Sequence, residues 1–188
     1  MIAKIYRPFI ITGPSAVGKS SLAKAILKKL KNFRPSTTYT TRPKRTKMSE
    51  DKIMHYVTRT EFKKLILNGK LLEWAEVYNN YYGTDAATLK RHLKKHHVLI
   101  NIDVQGANLI RKKLANTVSI FILPDSLTFL ARRLEQRGTP RRVKNIRLRT
   151  AAKEISQAPY FDYQIKNYNG RFEQTLARLL KIIKKEVK

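Results

Sequence analysis

Short apolar runs alternate with amphipathic segments along most of the chain. Continuous or alternating apolar runs are typical of strands, and a 3.6-residue period is typical of helices. The runs predict strands at residues 8–12, 71–78, 98–103, 118–123 and 163–167. The periodic segments predict helices at residues 19–30, 58–67, 85–95, 107–114, 126–137, 147–157 and 172–187. Thr58 with Glu61, and Ser126, are the expected N-terminal caps of two of these helices.

The predicted elements mostly follow the order strand, helix, strand, helix, which is typical of an α/β fold with a parallel sheet. Residues 34–84 interrupt this order with polar, β-rich sequence. We interpret that stretch as an insertion at the ligand-binding edge of the sheet. No repeat, low-complexity tract or linker divides the 188 residues, so the sequence predicts one domain with an inserted part.

Several classes of protein are excluded by composition. No apolar run approaches the roughly 18 residues that a membrane span needs, and the first residues lack the apolar stretch and cleavage site of a signal peptide. We therefore expect a cytoplasmic protein without membrane contact. The lack of cysteine excludes disulfides, thiolate zinc sites and thiol nucleophiles. His92 and His96 have the spacing of a metal pair but no evident third ligand, so we expect them to be solvated.

The charge balance is strongly basic, with 40 Lys+Arg against 13 Asp+Glu and a formal net charge of +27. A field of this sign attracts phosphates, nucleic acid or anionic lipid without distinguishing among them. A lysine-rich background on solvated faces explains the excess equally well. The charge alone therefore assigns no partner.

The most specific local motif lies between the first predicted strand and the first predicted helix. Residues 13–20, Gly-Pro-Ser-Ala-Val-Gly-Lys-Ser, match the P-loop pattern GxxxxGK[ST] in the context that it requires. Its glycines let backbone N–H groups turn toward a phosphate, Lys19 reaches the β- and γ-phosphates, and the Ser20 hydroxyl can hold Mg²⁺. We expect a nucleoside triphosphate as ligand. The motif alone does not choose among ATPases, GTPases and kinases.

A second basic motif occupies residues 40–45, Thr-Thr-Arg-Pro-Lys-Arg. Arg42 and Arg45 place two guanidinium groups three residues apart in a non-helical stretch, which suits forked hydrogen bonds to a second phosphate. When this run is read alone, a solvated basic loop is the alternative.

Further motifs follow in order: Leu-Glu-Trp-Ala-Glu-Val at 72–77, Tyr-Tyr-Gly-Thr at 81–84 and Ile-Asp-Val-Gln-Gly at 102–106. Together with the two phosphate-binding motifs, they resemble the guanylate kinase family, and the similarity continues to Asn167. The resemblance implies an α/β P-loop NTPase fold, a three-layer sandwich with a parallel sheet core. It further implies an ATP-binding core (1–33, 85–125 and 158–188), an inserted GMP-binding subdomain (34–84) and a helical lid (126–157).

The resemblance also assigns residues to the GMP site. Thr38, Glu73, Thr84 and Asp103 would face guanine, and Arg42, Arg45 and Tyr82 would hold the GMP phosphate. The chemistry agrees, because a carboxylate such as Glu73 can accept from both the ring N–H and the amino group of guanine, and adenine offers neither donor on that edge. Read alone, Glu73 would be interpreted as a solvated strand carboxylate.

The remaining implied residues act on ATP and on the transferring phosphates. ATP would be bound by Gly13, Pro14, Ser15, Ala16, Val17, Gly18, Lys19, Ser20, Ser21 and Asn167, with Ser20 on Mg²⁺. The implied catalytic residues are Lys19, Arg42, Arg133, Arg137 and Arg147. Phosphoryl transfer needs alignment and charge neutralisation, so we expect no general base.

The sequence departs from the family pattern at four places. Met54 stands where the family has a tyrosine on the GMP phosphate, and a thioether cannot donate a hydrogen bond. A lost hydrogen bond to a charged phosphate costs about 1.5–3 kcal/mol, and Lys44 or Lys47 could compensate with charge. The other departures are Lys47-Met48 for Gly-Glu, the shift of the proline to Pro43 before Lys44-Arg45, and Asn101 for an aspartate.

We therefore expect an ATP-dependent kinase that converts GMP, and also dGMP, to the diphosphate as a monomer or homodimer. One alternative is a kinase for another phosphate acceptor, such as a ribose bisphosphate precursor; Glu73, Tyr82, Thr84 and Asp103 argue against it. The other is a kinase-derived basic module that binds nucleic acid or an acidic partner, inactive through Met54 and Asn101. The intact P-loop makes this module less favoured than the enzyme.

Overall fold

The computed structural model describes residues 5–44 and 53–188. Its main sheet consists of five strands: β1 (Pro8–Thr12), β2 (Phe33–Pro35), β7 (His97–Asn101), β8 (Val118–Pro124) and β9 (Tyr163–Asn167). They lie in the order β2, β7, β1, β8, β9, and every neighbouring pair is parallel. This confirms the predicted α/β fold with a parallel core.

Helices cover both faces of this sheet. Along β1, Phe9 and Ile11 point to one face and Ile10 to the other, as the two-residue period of a strand requires. The first face packs against α1 (Lys19–Lys29), α5 (Leu127–Gln136), α6 (Arg141–Ile155) and α7 (Phe172–Glu186). The second packs against α3 (Ala86–Leu93) and α4 (Val104–Lys113). The result is the expected sandwich of three layers.

A second, smaller sheet lies within the stretch interpreted as an insertion. Its strands are β3 (Thr38–Thr40), β4 (Met54–Tyr56), β5 (Leu71–Val77) and β6 (Asn80–Asp85), in the order β4, β3, β6, β5. The β3–β6 and β5–β6 pairs are antiparallel, and β3–β4 is parallel. The helix α2 (Arg59–Leu67) buries Phe62, which stacks on Tyr81 of β6. The proposed division into core, insertion and lid stays a prediction.

Local capping explains several element boundaries. The predicted capping box at Thr58 is confirmed, because its side chain accepts from the backbone N–H of Glu61 and the Glu61 carboxylate accepts from that of Thr58. Ser126 caps α5 as predicted, accepting from the N–H of Phe129. Asp103 caps α4, so this helix begins at Val104, three residues before the predicted start.

Other boundaries differ from the predictions. The helix predicted from residue 147 begins at Arg141, directly after Pro140, whose ring fixes φ near the helical value. Strands β2, β3, β4 and β6 were not predicted individually, because three of them have only three residues and β6 is rich in polar side chains. Within residues 5–44 and 53–188, no helix is long and apolar enough to cross a membrane. The expected cytoplasmic location stays a prediction.

Candidate active site

A cavity of about 520 Å³ lies where the carboxyl ends of β1 and β7 meet the smaller sheet and α6. Ligands of open parallel sheets commonly bind outside this edge. The predicted site residues that line the cavity are Gly13, Ser15, Ala16, Lys19, Ser20, Thr38, Arg42, Glu73, Tyr82, Thr84, Asp103, Arg137 and Arg147. The fold thus brings residues from seven separated segments of the chain to one space.

The P-loop connects β1 to α1 through two glycines with positive φ. Gly13 has φ 134° and Gly18 has φ 110°, values that side-chain-bearing residues rarely adopt. A Cβ at Gly13 would lie 2.3 Å from the carbonyl oxygen of Ile122, so β8 leaves no room for one. The loop ends at the N-terminus of α1, whose N–H groups and dipole favour an anion.

Lys19 and Ser20 begin α1 beside this loop. The Lys19 ammonium donates to the carbonyl oxygens of Gly13 at 2.5 Å and Pro14 at 3.0 Å, which holds it across the loop. The Ser20 hydroxyl accepts from the Asn101 amide at 3.1 Å. Hydroxyl and amide oxygens are ligands that Mg²⁺ accepts beside substrate phosphates, so Ser20 and Asn101 fit a site for the nucleotide-bound ion.

Glu73 and Thr84 form the polar centre of the smaller sheet. The two residues are paired across β5 and β6, and Thr84 is paired with Thr38 on its other side. Glu73 is 3% exposed, and its Oε1 accepts from the Thr84 hydroxyl at 2.7 Å and from the Thr84 N–H at 3.1 Å. Burial, and secondarily the charge of Asp103, raises the pKa of the Glu73 carboxyl to about 7.

Arg42 lies two residues after β3 and is 8% exposed. Its guanidinium donates from Nη1 to the carbonyl oxygen of Pro43 at 2.9 Å and from Nη2 to the hydroxyl of Tyr56 at 3.1 Å. Met54 lies beside it, with the sulfur 3.5 Å from Nη2. The predicted residue Arg45, and the departures Lys47 and Met48, lie outside the described residues.

Two of the predicted site residues make hydrogen bonds that stabilise the backbone around the site. The Asp103 carboxylate accepts from the N–H groups of Gln105 and Gly106 at the start of α4, where it lines the cavity. Asn167 is buried away from the cavity lining; its amide donates to the carbonyl oxygen of Val17 at 2.8 Å and accepts from the Thr175 hydroxyl at 2.9 Å. Asn167 thus joins the P-loop to β9 and α7.

The three predicted lid arginines occupy different positions. Arg137 and Arg147 line the cavity, and the Arg147 guanidinium lies 5.0 Å from the ring centroid of Tyr78. Arg133 is outside the lining and donates to the carbonyl oxygen of Ala16 at 3.2 Å, behind the P-loop. Burial lowers the pKa of Arg133 from its ordinary value. Four residues predicted to bind ATP also lie outside the cavity lining: Pro14, Val17, Gly18 and Ser21.

Three residues near the cavity received no role from the sequence. Tyr56 contacts Arg42, Tyr78 stacks on Arg147, and Glu154 lines the cavity with a pKa raised to about 7 by burial. The sequence contains a pattern that could have pointed to two of these residues. Tyr56 follows Met54 at the two-residue spacing of one strand face, and Glu154 follows Arg147 at a helical spacing of seven. Tyr78 has no local signal, since its partner is remote in sequence.

Comparisons with known proteins identify the family of this chain. The family model described as guanylate kinase matches residues 5–186. Guanylate kinase from Rickettsia felis is 42% identical over 93% of this chain and 91% of its own, and that from Thermotoga maritima is 37% identical over 95% and 86%. The crystal structure of guanylate kinase from Anaplasma phagocytophilum matches with a TM-score of 0.80 and 32% identity, over 99% of this chain and 88% of that one. The chain therefore belongs to the guanylate kinase family.

Proposed function

We propose that this protein transfers the γ-phosphoryl group of ATP to GMP, giving ADP and GDP. The observation that carries the proposal is the position of the P-loop and the buried Glu73–Thr84 pair on one cavity. A triphosphate on the P-loop and a purine at Glu73 would approach each other across that space. The similarity to enzymes named guanylate kinase over nearly the whole chain supports the same reaction.

Glu73 is the proposed selector of the base. Its carboxylate accepts two hydrogen bonds from Thr84 and is otherwise shielded from water by burial. The N1–H and amino group of guanine would add the donors that a buried carboxylate requires, while adenine would leave the charge poorly compensated. Thr38 and Asp103 line the cavity beside this pair and are proposed to contact the same base.

Arg42, Arg45 and Tyr82 are the proposed ligands of the GMP phosphate. Arg42 and Tyr82 line the cavity, and the Arg42 guanidinium donates to the Pro43 carbonyl oxygen and to the Tyr56 hydroxyl. Lys44 also lines the cavity, which supports its predicted contribution of positive charge. A forked cation is suited to a phosphate monoester because it can donate to two oxygens at once.

The transfer itself would rest on alignment and charge neutralisation. Lys19, Arg137 and Arg147 surround the space in which the γ-phosphate would lie, and we assign no general base. Mg²⁺ bound with ATP would neutralise phosphate charge, with Ser20 and Asn101 as candidate oxygen ligands. Arg133 and Asn167 are proposed to support ATP binding through the P-loop carbonyls of Ala16 and Val17.

The test is ADP formation by the purified chain with ATP, Mg²⁺ and one nucleoside monophosphate at a time. We expect turnover with GMP and none with AMP, CMP or UMP. The Lys19→Ala variant, prepared in parallel, should lose that activity and so exclude a contaminating kinase. Phosphorylation of dGMP is tested in the same series, and like the monomeric or homodimeric state it stays a prediction.

A protein that binds ATP but forms no ADP with GMP would contradict the proposal. Turnover with a sugar phosphate instead would favour a kinase for another acceptor. RNA binding that weakens steeply with added salt, with no phosphorylation of any acceptor, would favour the basic binding module. Binding that releases counterions from a nucleic acid depends on salt in this way.

A further inference from the structure

Strand β4 places two side chains on the face directed at Arg42. Met54 and Tyr56 are two residues apart, so they share a face, whereas His55 points to the other side and stacks on Tyr39 at a centroid distance of 5.0 Å. The pairing of Met54 with Thr38 and of Tyr56 with Thr40 aligns β4 with the strand that leads to Arg42. The register of the sheet thus brings a phenol to the buried guanidinium.

The contacts of Arg42 define one orientation of its side chain. The Nη2 nitrogen donates to the Tyr56 hydroxyl at 3.1 Å, and the guanidinium carbon lies 5.6 Å from the Tyr56 ring centroid. On the other branch, Nη1 donates to the carbonyl oxygen of Pro43 at 2.9 Å. The backbone N–H of Arg42 donates to the Thr40 hydroxyl at 3.1 Å, which anchors the base of the same side chain.

The two β4 side chains differ in what they offer the guanidinium. The Met54 sulfur is 3.5 Å from Nη2, but a thioether is only a weak acceptor and never a donor. The Tyr56 hydroxyl accepts from the guanidinium at hydrogen-bonding distance, and a hydrogen bond from a charged donor is about twice as strong as a neutral one. Tyr56 is therefore the β4 residue able to fix the direction of the fork.

We propose that Tyr56 is a positioning residue for acceptor binding, which holds the Arg42 guanidinium in the orientation that receives the phosphate of the acceptor nucleotide. The hydroxyl absent at position 54 is supplied two residues later on the same strand face. This inference rests on the proposed function, since it gives Arg42 a phosphate to bind. It concerns Tyr56, to which no role follows from the sequence motifs.

The experiment compares the parent chain with the Tyr56→Phe variant, which loses only the hydroxyl. We expect KM for GMP to rise about tenfold, with kcat and KM for ATP within about twofold of the parent. Titration with GMP in the absence of ATP should show the same loss of affinity. The matched control is Tyr39→Phe, which removes a hydroxyl from the neighbouring strand on the face of His55 and should leave all three constants unchanged.

An Arg42→Lys background separates positioning from direct contact. Lysine keeps the charge but lacks the fork, so Tyr56→Phe should cause no further loss of GMP affinity there. An undiminished effect in that background, or an unchanged KM for GMP in the single variant, would overturn the inference. A parent chain that neither binds nor phosphorylates GMP would overturn the proposed function and the inference with it. If the parent chain phosphorylates GMP and Tyr56→Phe has the same KM for GMP, the inference about Tyr56 is overturned and the proposed function stands.

Discussion

At the scale of single residues, the buried carboxylate of Glu73 is the proposed selector of the acceptor base. Burial raises the pKa of the Glu73 carboxyl from its ordinary 4.5 to about 7. The folded protein therefore binds this proton more tightly than the unfolded chain does. The contribution of Glu73 to folding stability is complete below about pH 4.5 and declines as the pH rises through about 7.

This residue predicts a pH dependence of acceptor affinity. Guanine donors stabilise the ionised carboxylate, so KM for GMP should fall as the pH rises from about 6 to about 8. Steady-state kinetics across that range measure the effect. In Glu73→Gln the pH dependence should flatten, KM for GMP should rise about a hundredfold, and thermal stability at about pH 8 should equal or exceed that of the parent.

The matched control for Glu73 is Glu76→Gln, on the exposed side of the same strand. It removes the same charge without touching the cavity, so its KM for GMP should equal that of the parent at each pH. A Glu73→Gln variant with unchanged GMP affinity would contradict the role of selector.

At the scale of elements, the β5–β6 hairpin and α6 meet at the edge of the cavity. The hairpin turn places Tyr78 and Asn79 at positive φ, 50° and 62°, as a tight two-residue turn requires. This turn directs the Tyr78 ring to Arg147, with the guanidinium carbon 5.0 Å from the ring centroid. Burial raises the pKa of the Tyr78 phenol to about 12, so the ring stays neutral.

We expect the stack of Tyr78 on Arg147 to place that arginine for phosphoryl transfer. Tyr78→Asn removes the ring but keeps a residue that tolerates positive φ. A cation–π contact contributes about 0.5–2 kcal/mol, so kcat should fall roughly 2- to 30-fold, with less change in either KM. Tyr78→Phe, which retains the ring, should keep most of the activity.

Steady-state kinetics and thermal unfolding of the Tyr78 variants provide the measurement. The control is Tyr160→Asn, which truncates a tyrosine that is 72% exposed and outside the cavity lining. If Tyr78→Asn and Tyr160→Asn have the same kcat as the parent, the hairpin does not position Arg147.

At the scale of the whole molecule, the chain carries a formal net charge of +27, and cationic side chains such as Lys19, Arg42 and Arg147 line the cavity proposed to bind nucleotides. A field of one sign raises the local concentration of charged substrates and their rate of encounter. The field is screened beyond a distance of about 8 Å at physiological salt. The charge thus has a physical consequence for an enzyme with nucleotide substrates, independent of any nucleic-acid partner.

This field predicts a salt effect on the enzyme. At subsaturating GMP, kcat/KM should fall several-fold between about 0.02 M and about 0.3 M salt, because screening weakens the attraction of the dianionic phosphate. At saturating GMP and ATP, kcat should change little. Initial rates at several salt concentrations provide the measurement, and a kcat/KM independent of salt would contradict the prediction.

The sequence was sufficient for the features that are local. Three such features are the P-loop, the capping box at Thr58 and the buried strands, because each depends on residues within one short segment of the chain. The strands β2, β3, β4 and β6 were missed, because such short or polar strands are stabilised by pairing with distant strands. The start of α6 was also missed, since the helix begins directly after Pro140 rather than at Arg147.

The residues of the candidate site likewise fall into those that sequence patterns indicate and those that only the structure reveals. The P-loop motif was enough to select Lys19, whereas Arg42 and Glu73 were selected because their motifs resemble those of the guanylate kinase family. Only the tertiary structure decided that Tyr56 contacts Arg42, that Tyr78 stacks on Arg147, and that Asn167 binds a P-loop carbonyl. Strand register and helix packing bring these partners together across up to 150 residues of chain, and no local spacing encodes such a contact.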